Sequence, residues 1–359
     1  MSLLFQKQGE NVKLLAQKVF NRHFEKDPRL SDEYDDRRKR LMYEDILYNL
    51  GYLDVAMRFE DSEIFEEYAA WLYQLLCNLM KNIGKDKIKE QMILHYKILS
   101  ETLLETLSGD EAMKAKEYIQ KAINVTISQA ENFTELSRFE EGKHLDIKKE
   151  YLGNLLKNDT RAAIAVISNA AKNNIAIEDI YVDVLQEVMY EVGNLWHKNV
   201  ITVDKEHYCT STTQVVLSSF YPIIFSKPRN GNKILTCCIG SELHELGARM
   251  LSDLFEYNGW DSIYLGAAVP TSSIIHAIEE HSPAIVGLSV TMPQHLLDCY
   301  QTTLAIREKF GDKVKIIVGG RAFITSGKLW EKWNVDYFSS NAIDAVKWAN
   351  SLVLQNSPC

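Results

Sequence analysis

The sequence predicts a multidomain protein of the α and α/β classes, with two helical domains followed by a domain built on a parallel sheet. Three observations carry this prediction. Apolar residues recur at helical spacing, with no strand signal, over about the first 135 residues. Four further helical segments follow with short connections, and after residue 232 short apolar runs alternate with helical patterns. The length of 359 residues fits two or three domains of ordinary size.

Composition narrows the function classes. Hydrophobic residues make up 46% and charged residues 25% of the chain, as in soluble globular proteins. The net charge of −9 argues against a general nucleic-acid surface, which needs a basic face. The sequence lacks a long apolar run, and the first residues, MSLLFQKQGENVKLL, do not resemble a signal peptide. We therefore expect a cytoplasmic protein with no membrane contact and no direct nucleic-acid partner.

Residues 1–135 are predicted to form an all-helical domain of about five helices. Its apolar residues recur at intervals of three and four. Breaks are expected at Asp27-Pro28, at Gly51, at Gly84 and at residues 108–110. A bundle or globin-like packing would bury the apolar stripes of such helices.

One stretch of this domain is unusually aromatic. Its aromatic residues are Tyr43, Tyr48, Tyr52, Phe59, Phe65, Tyr68, Trp71 and Tyr73. They can form an aromatic core, or they can line a pocket for a flat conjugated ligand, because aromatic faces stack on such molecules and exclude water. His95 has apolar neighbours on a predicted helix, which is more typical of a hydrogen-bonded core residue than of a ligand.

A four-helix bundle is predicted over residues 146–226. The polar residues 136–145, SRFEEGKHLD, are expected to form the linker that precedes it. The helices are predicted at about 146–157, 160–174, 178–197 and 205–225. Because their connections are short, neighbouring helices should run antiparallel.

Residues 233–355 are predicted to form a Rossmann-like domain, after a boundary at Pro228–Asn232. Five strands are expected, at residues 234–239, 263–265, 284–290, 316–318 and 336–339. Because helices alternate with them, the sheet should be parallel with helices on both faces, and ligands should bind beyond the carboxyl ends of the strands. Cys237 and Cys238 lie within the first strand and are expected to be buried thiols rather than members of a disulfide framework.

The pattern Glu242-x-His244-x-x-Gly247 directly follows the first of these strands. An imidazole there can project from the open edge of the sheet and bind a metal. Glu242 can accept a hydrogen bond from its other nitrogen, which fixes the tautomer. Gly247 would let a bulky group pass close to the helix start. Since the segment has one histidine and zinc needs three or four protein ligands, the pattern favours a metal already held by a macrocycle.

The ends of later strands supply the rest of this site. Gly319 and Gly320 would leave a channel between strands four and five for a nucleotide tail, and Ser289 could hydrogen-bond that tail. Residues 233–355 thus resemble the cobalamin-binding domain of corrinoid proteins. That family has Asp-x-His-x-x-Gly, then Ser-x-Leu, then Gly-Gly. Here glutamate stands for the aspartate at 242, and Thr291 stands for the leucine. The resemblance implies that His244 is the lower axial ligand of cobalt.

A second pattern lies in the predicted bundle. Trp196 and His197 end one helix, and Glu206 and His207 begin the next, so the four side chains can converge on one small volume. Taken singly, Trp196 could pack the bundle end and Glu206 could be a first-turn acid that the helix dipole favours. Taken together and placed before a cobalamin domain, they favour a cap over the upper face of the cofactor.

This pattern resembles that of the CarH-type photoreceptors, which bind adenosylcobalamin. In that family the Trp and the Glu-His pair surround the 5′-deoxyadenosyl group, and light breaks the cobalt–carbon bond. The resemblance implies that Trp196, Glu206 and His207 contact the cofactor. It also implies that His197 can bind cobalt from above after photolysis. It further implies a homo-oligomer, a dimer or tetramer, whose assembly depends on light, and a downstream signalling partner.

The first 135 residues depart from the repressors of that family, because the sequence shows no winged helix-turn-helix. The photocobilin subfamily combines the cobalamin unit with a helical domain that holds a bilin, and the aromatic N-terminal domain is compatible with biliverdin.

We expect a photoreceptor without a catalytic domain. The alternative is a corrinoid methyl-carrier protein of a methyltransferase system, although a Trp and Glu-His cap would obstruct the open face that methyl transfer needs. A mutase subunit is a third possibility, but the sequence shows no substrate barrel.

Overall fold

The structure, a computed structural model, describes residues 10–131, 139–326 and 329–356. The chain divides into two compact units, residues 1–135 and residues 136–359. Over these described ranges, no helix is both long enough and apolar enough to cross a membrane. The predicted fold class is confirmed, since a helical region precedes a parallel five-stranded sheet.

The first unit is helical throughout its described residues. Its elements are α1 (Glu10–Lys26), the short α2 (Leu30–Glu33), α3 (Asp36–Phe59), α4 (Glu63–Leu79), α5 (Lys85–Thr106) and α6 (Gly109–Glu131). The break predicted at Gly51 is wrong, because α3 runs through it. A glycine inside a helix costs only ~1 kcal/mol relative to alanine, and the surrounding packing overrides that cost. The helix ends instead at Glu60, which is left-handed (φ 55°) and donates its N–H to Ala56 and Met57.

The aromatic stretch contributes several residues to the core of this unit. Tyr52 and Tyr68 are buried and stack with ring centroids 3.9 Å apart. Phe65 lies beside Tyr68 and is also buried, whereas Tyr48 is exposed. Part of the stretch is therefore an aromatic core, and whether the remainder lines a ligand pocket stays a prediction.

His95 has a partner on one of its two ring nitrogens. Its Nδ1 lies 3.0 Å from Nε2 of His23, while its Nε2 is buried with no hydrogen-bond partner. Burial, and then the charge of its neighbour, lowers the pKa of His95 to about 3 and that of His23 to about 4. Both imidazoles are therefore neutral at physiological pH. The hydroxyl of Tyr96, the next residue, is likewise buried without a partner.

The second unit begins with the predicted helical bundle. Its elements are α7 (Leu145–Leu156), α8 (Thr160–Lys172), α9 (Ile177–Asp179), a π-helical segment (Ile180–Gln186), α10 (Glu187–His197), α11 (Val203–Ser218) and α12 (Tyr221–Ile224). The predicted helix 178–197 is thus present with a π segment inside it. The predicted helix 205–225 is interrupted at residues 219–220. Pro222 lies in the first turn of α12, where its missing N–H costs no hydrogen bond.

The described part of the predicted linker is packed against the bundle. Phe139 is buried in the hydrophobic core of this unit. Lys148, on α7, is fully buried, and its Nζ donates to the carbonyls of Phe139 (2.8 Å) and Glu141 (2.6 Å). Residues 139–145 therefore form part of the folded unit, which corrects the expectation of a linker there. Residues 136–138 lie outside the described ranges.

The rest of the second unit is the parallel sheet with its helices. The strands are β1 (Lys233–Cys238), β2 (Asp261–Tyr264), β3 (Ile285–Ser289), β4 (Lys315–Gly319) and β5 (Tyr337–Ser339). The main helices are α13 (Leu246–Tyr257), α14 (Thr271–His281), α15 (Leu296–Phe310), the short α16 (Arg321–Thr325) and α17 (Ala342–Asn356). The strand order is β2-β1-β3-β4-β5, with every pair parallel. Cys237 and Cys238 are buried free thiols, as predicted.

The register aligns the ends of the central strands. Cys238 on β1 pairs with Ser289 on β3, which pairs with Gly319 on β4, which pairs with Ser339 on β5. The loops that follow β1, β3 and β4 therefore leave the sheet side by side. This edge is where ligands bind in open parallel sheets.

Candidate functional site

The site is organised around the buried carboxylate of Glu242, in the loop between β1 and α13. One oxygen, Oε1, accepts from Nδ1 of His244 (2.5 Å) and from the His244 backbone N–H (3.0 Å). The other, Oε2, accepts from the backbone N–H groups of Thr291 (2.9 Å) and Met292 (2.8 Å). Glu242 thus accepts four hydrogen bonds, two from His244 in its own loop and two that join this loop to the loop after β3.

These bonds decide the charge of Glu242. Burial opposes ionisation, but the hydrogen bonds from His244 and from the backbone of Met292 outweigh it and hold the pKa of Glu242 at about 2. The same contact acts in reverse on the imidazole, because the Glu242 hydrogen bond raises the pKa of His244 despite its burial penalty. At neutral pH the carboxylate is ionised and favours a proton on Nδ1 of His244.

His244 is oriented for ligation. With Nδ1 held by Glu242, the neutral ring has its lone pair on Nε2. The side chain remains 60% exposed, although its carboxylate partner is 1% exposed. Gly247, the second residue of α13, is also exposed, and a Cβ built on it would have no atom within 4 Å. The sheet edge therefore presents an oriented nitrogen beside open space, and this donor set fits a metal whose other ligands come from a macrocycle.

The two departures from the corrinoid motif do not weaken this arrangement. The longer side chain of Glu242 reaches His244 and the loop after β3 at the same time. Thr291 contributes its backbone N–H to that contact, so the identity of its side chain does not affect the bond. Ser289 ends β3 beside Cys238. Burial raises the pKa of the Cys238 thiol, and a hydrogen bond from Ser289 opposes that rise. Its contact with a nucleotide tail stays a prediction.

Glycine is required at positions 319 and 320 first because backbone atoms of neighbouring segments pass close to both residues. A Cβ on Gly320 would lie 2.2 Å from the carbonyl oxygen of Val290, and its φ of +97° is one that side chains disfavour. A Cβ on Gly319 would lie 3.0 Å from the carbonyl oxygen of Ser339. Since β4 and β5 pair up to this point, a tail would have to lie beyond the paired residues. The predicted channel is untested by these contacts.

The four residues predicted to cap the cofactor lie at the end of α10 and the start of α11. Glu206 lies in the first turn of α11, and its charge contributes to raising the pKa of His244, so the two residues are electrostatically coupled. Nδ1 of His207 donates to a carboxylate oxygen of Glu206 (2.6 Å), and the His207 side chain is 72% exposed. Trp196 and His197, at the end of α10, are half-buried. Glu206 thus acts electrostatically on His244, while the cofactor contacts of Trp196, His197 and His207 stay predictions.

Sequence reasoning missed a residue that connects bundle and sheet. Glu245, next to His244, accepts from Nε2 of Gln214 on α11 (2.7 Å) and from the Tyr264 hydroxyl (3.0 Å). Arg249, on α13, donates to the hydroxyl of Tyr221 on α12 (2.9 Å). The sequence signal for this role was Glu245 itself, a second charged residue directly beside His244. The loop that holds His244 is therefore hydrogen-bonded to α11, the helix whose first turn contains Glu206.

Comparison with known proteins agrees with this geometry. Residues 232–342 match a family model described as a B12 binding domain, and residues 147–219 match a second model with the same description. In structure, the chain is similar to the monomethylamine corrinoid protein of Methanosarcina barkeri. The TM-score is 0.52 at 18% identity, over 58% of this chain and 98% of that one. At this identity the likeness shows the fold.

Two kinds of curated relative are similar in sequence. The HTH-type transcriptional repressor CarH of Myxococcus xanthus is 25% identical over 158 residues, which are 44% of this chain and 52% of that protein. The dimethylamine corrinoid protein of Methanosarcina barkeri is 25% identical over 122 residues, 33% of this chain and 56% of that protein. The chain thus spans about half the length of these relatives. It contains two neighbouring B12 binding domain matches, and these support cobalamin binding by residues 147–342.

Proposed function

We propose that this chain is a light sensor that uses adenosylcobalamin in its second unit. The observation that carries the proposal is the imidazole of His244, which Glu242 orients at the carboxyl edge of the sheet. Glu206, at the start of α11, adds a smaller electrostatic effect on the same imidazole. Trp196 ends the preceding helix, so the bundle would enclose the upper ligand of a cofactor held from below. Bound adenosylcobalamin would supply the light-sensitive cobalt–carbon bond.

The residues of the chain would hold the cofactor and report its state. Glu242 holds the proton of the neutral His244 ring on Nδ1, so that Nε2 would carry the lone pair, and the open space beyond Gly247 would admit the corrin ring. Loss of the upper ligand would free the space beside Trp196 and Glu206. Since Gln214 on α11 is hydrogen-bonded to Glu245 in the cofactor loop, a shift of the cap would reach the sheet directly.

The test is a comparison of dark and illuminated protein loaded with adenosylcobalamin. We expect green light to change the visible spectrum irreversibly. We also expect the dimer or tetramer to change its oligomeric state on illumination, as measured by size-exclusion chromatography with light scattering. Trp196→Ala should accelerate loss of the adenosyl group in the same light. An unchanged spectrum after illumination would refute the proposal.

The second candidate is a corrinoid methyl carrier, which the dimethylamine corrinoid relatives support as well as CarH supports a sensor. Such a carrier must exchange a methyl group at an accessible upper face. Methylcobalamin-loaded protein should then pass its methyl group to a thiol acceptor when a partner methyltransferase is present. Methyl transfer together with no light-dependent change in assembly would favour the carrier.

We also propose biliverdin as a second chromophore in the first unit. Among the described residues of this unit, three buried polar atoms have no hydrogen-bond partner: Oδ1 of Asn49, Nε2 of His95 and the hydroxyl of Tyr96. Buried polar groups are nearly always paired, so such atoms beside an aromatic stretch suit a ligand with pyrrole N–H and carbonyl groups. Biliverdin added to the full chain should produce a red-shifted band that Tyr96→Phe weakens. Absence of saturable binding would refute this assignment and leave the cobalamin proposal intact.

A further inference from the structure

A mixed cluster of metal-ligand side chains lies in the second unit, outside the cobalamin site. It consists of His144, immediately before α7, with Asp179 at the end of α9 and Asp183 in the π-helical segment. One ligand atom from each of the three lies within 4.8 Å of the others. Asp179 and Asp183 are four residues apart and so project from the same side of their helix.

The imidazole of His144 is directed into this cluster. Its Nε2 is shielded from solvent, has no hydrogen-bond partner, and lies 4.0 Å from Oδ2 of Asp179. A shielded ring nitrogen without a partner is costly, because desolvation is not repaid. The backbone of His144 is left-handed (φ 58°), a conformation that histidine adopts more often than most residues. The side chains of His144, Asp179 and Asp183 are 24%, 35% and 30% exposed, so the cluster has access to solvent.

The nearest basic group is Lys143. Its Nζ lies 3.6 Å from Oδ1 of Asp179 and 3.2 Å from Oδ2 of Asp183. The Lys143 side chain is two-thirds exposed, so its ammonium can leave at little cost. It offsets only part of the charge of the two carboxylates and does not use the His144 nitrogen. A cation that binds all three side chains would give Nε2 of His144 the partner that Lys143 does not provide.

We propose that His144, Asp179 and Asp183 form a site for a divalent transition-metal cation such as Zn²⁺. One imidazole nitrogen and two carboxylate oxygens are ligands that Zn²⁺ accepts, with water completing the coordination. The site joins residue 144, in the segment packed on the bundle, to the start of the π segment. Metal binding would fasten that segment to the bundle. The proposal is independent of the light-sensing function.

The test is isothermal titration of the chelator-treated, cobalamin-loaded full chain with ZnCl₂. We expect one saturable site whose affinity falls at least tenfold in Asp183→Asn and in His144→Asn, since asparagine tolerates the left-handed backbone. Lys143→Ala should tighten binding by removing the competing ammonium. Asp312→Asn changes an exposed acid elsewhere and serves as the control. Circular dichroism would confirm that each variant is folded.

Two results would overturn the site. One is the absence of a saturable Zn²⁺ isotherm in the wild-type chain. The other is an isotherm that both Asp183→Asn and His144→Asn leave unchanged, which would place the bound ion on other surface histidines.

Discussion

Replacing Glu242 with glutamine tests how the sheet edge prepares its ligand. Each oxygen of Glu242 accepts two N–H groups, so an amide NH₂ in place of either oxygen would face two donors. The backbone donors of Thr291 and Met292 cannot reverse their polarity. The amide oxygen should therefore stay with them, and the NH₂ should point to His244. Nδ1 of His244 must then accept, and the ring proton moves to Nε2.

The tautomer change removes the lone pair that would bind cobalt. Loss of a partner that orients a metal-bound histidine typically lowers metal affinity 10–100-fold, or ~1.4–2.7 kcal/mol. The His244 backbone N–H also loses its acceptor, which adds ~1 kcal/mol to the loss of folding stability. We expect Glu242→Gln to fold and to bind hydroxocobalamin at least tenfold more weakly.

The assay is an absorbance titration with hydroxocobalamin, a cobalamin without the light-sensitive adenosyl group, paired with urea unfolding. The matched control is Glu280→Gln, which neutralises an exposed glutamate that also lies beside histidines, at 3.9 Å from His276 and His281. It should leave affinity and spectrum unchanged. If Glu242→Gln bound as tightly as wild type with the same axial-ligand spectrum, the tautomer argument would be refuted.

Three further predictions concern the second unit. Replacing His244 with alanine should abolish the spectrum of imidazole-bound cobalt in the dark, whereas His197→Ala should change only the illuminated spectrum; identical effects of the two would contradict their assigned sides. Gly320→Ala should lower the free energy of unfolding by more than ~2 kcal/mol in urea titrations, because its Cβ meets Val290 at 2.2 Å. Gly311→Ala, with φ +58° and open space, should lose only ~1 kcal/mol, and equal losses would show that backbone conformation alone matters. Burial raises the pKa of Asp253 to about 7, so the folded state binds the extra proton and stability should fall as pH rises from about 4 to 7. Asp253→Asn should flatten that slope in thermal melts between pH 4 and 8, and an unaltered slope would assign it to other groups.

The sheet and its edge were largely predictable, because local patterns determine them. Alternation of apolar runs with helical segments identified all five strands to within a few residues. The carboxyl-end rule then placed His244, Ser289 and Gly319 on one edge, and the register aligns the strands that carry them. The sequence pattern could not predict that Glu242 also links the loop after β1 to the loop after β3. Its bonds to Thr291 and Met292 depend on how two distant loops approach each other.

The misjudged elements share a different cause. Gly51 was expected to end a helix, and residues 139–145 were expected to be a polar linker, because each was judged by local composition. Tertiary contacts override both expectations. α3 continues through Gly51, and the fully buried Lys148 holds the carbonyls of Phe139 and Glu141. A buried lysine with only backbone acceptors has no signature in sequence, since lysine is normally a surface residue.

The same lysine sets where the chain can be cut for study. A fragment designed from the predicted helix boundary would begin near residue 146 and would lack both carbonyls that hold the Lys148 ammonium. That charge would then be buried without an acceptor, a cost large enough to unfold a small unit. A fragment beginning at residue 139 keeps Phe139 in the core and both acceptors in place. The residues to preserve are thus the ones that composition alone would discard as a spacer.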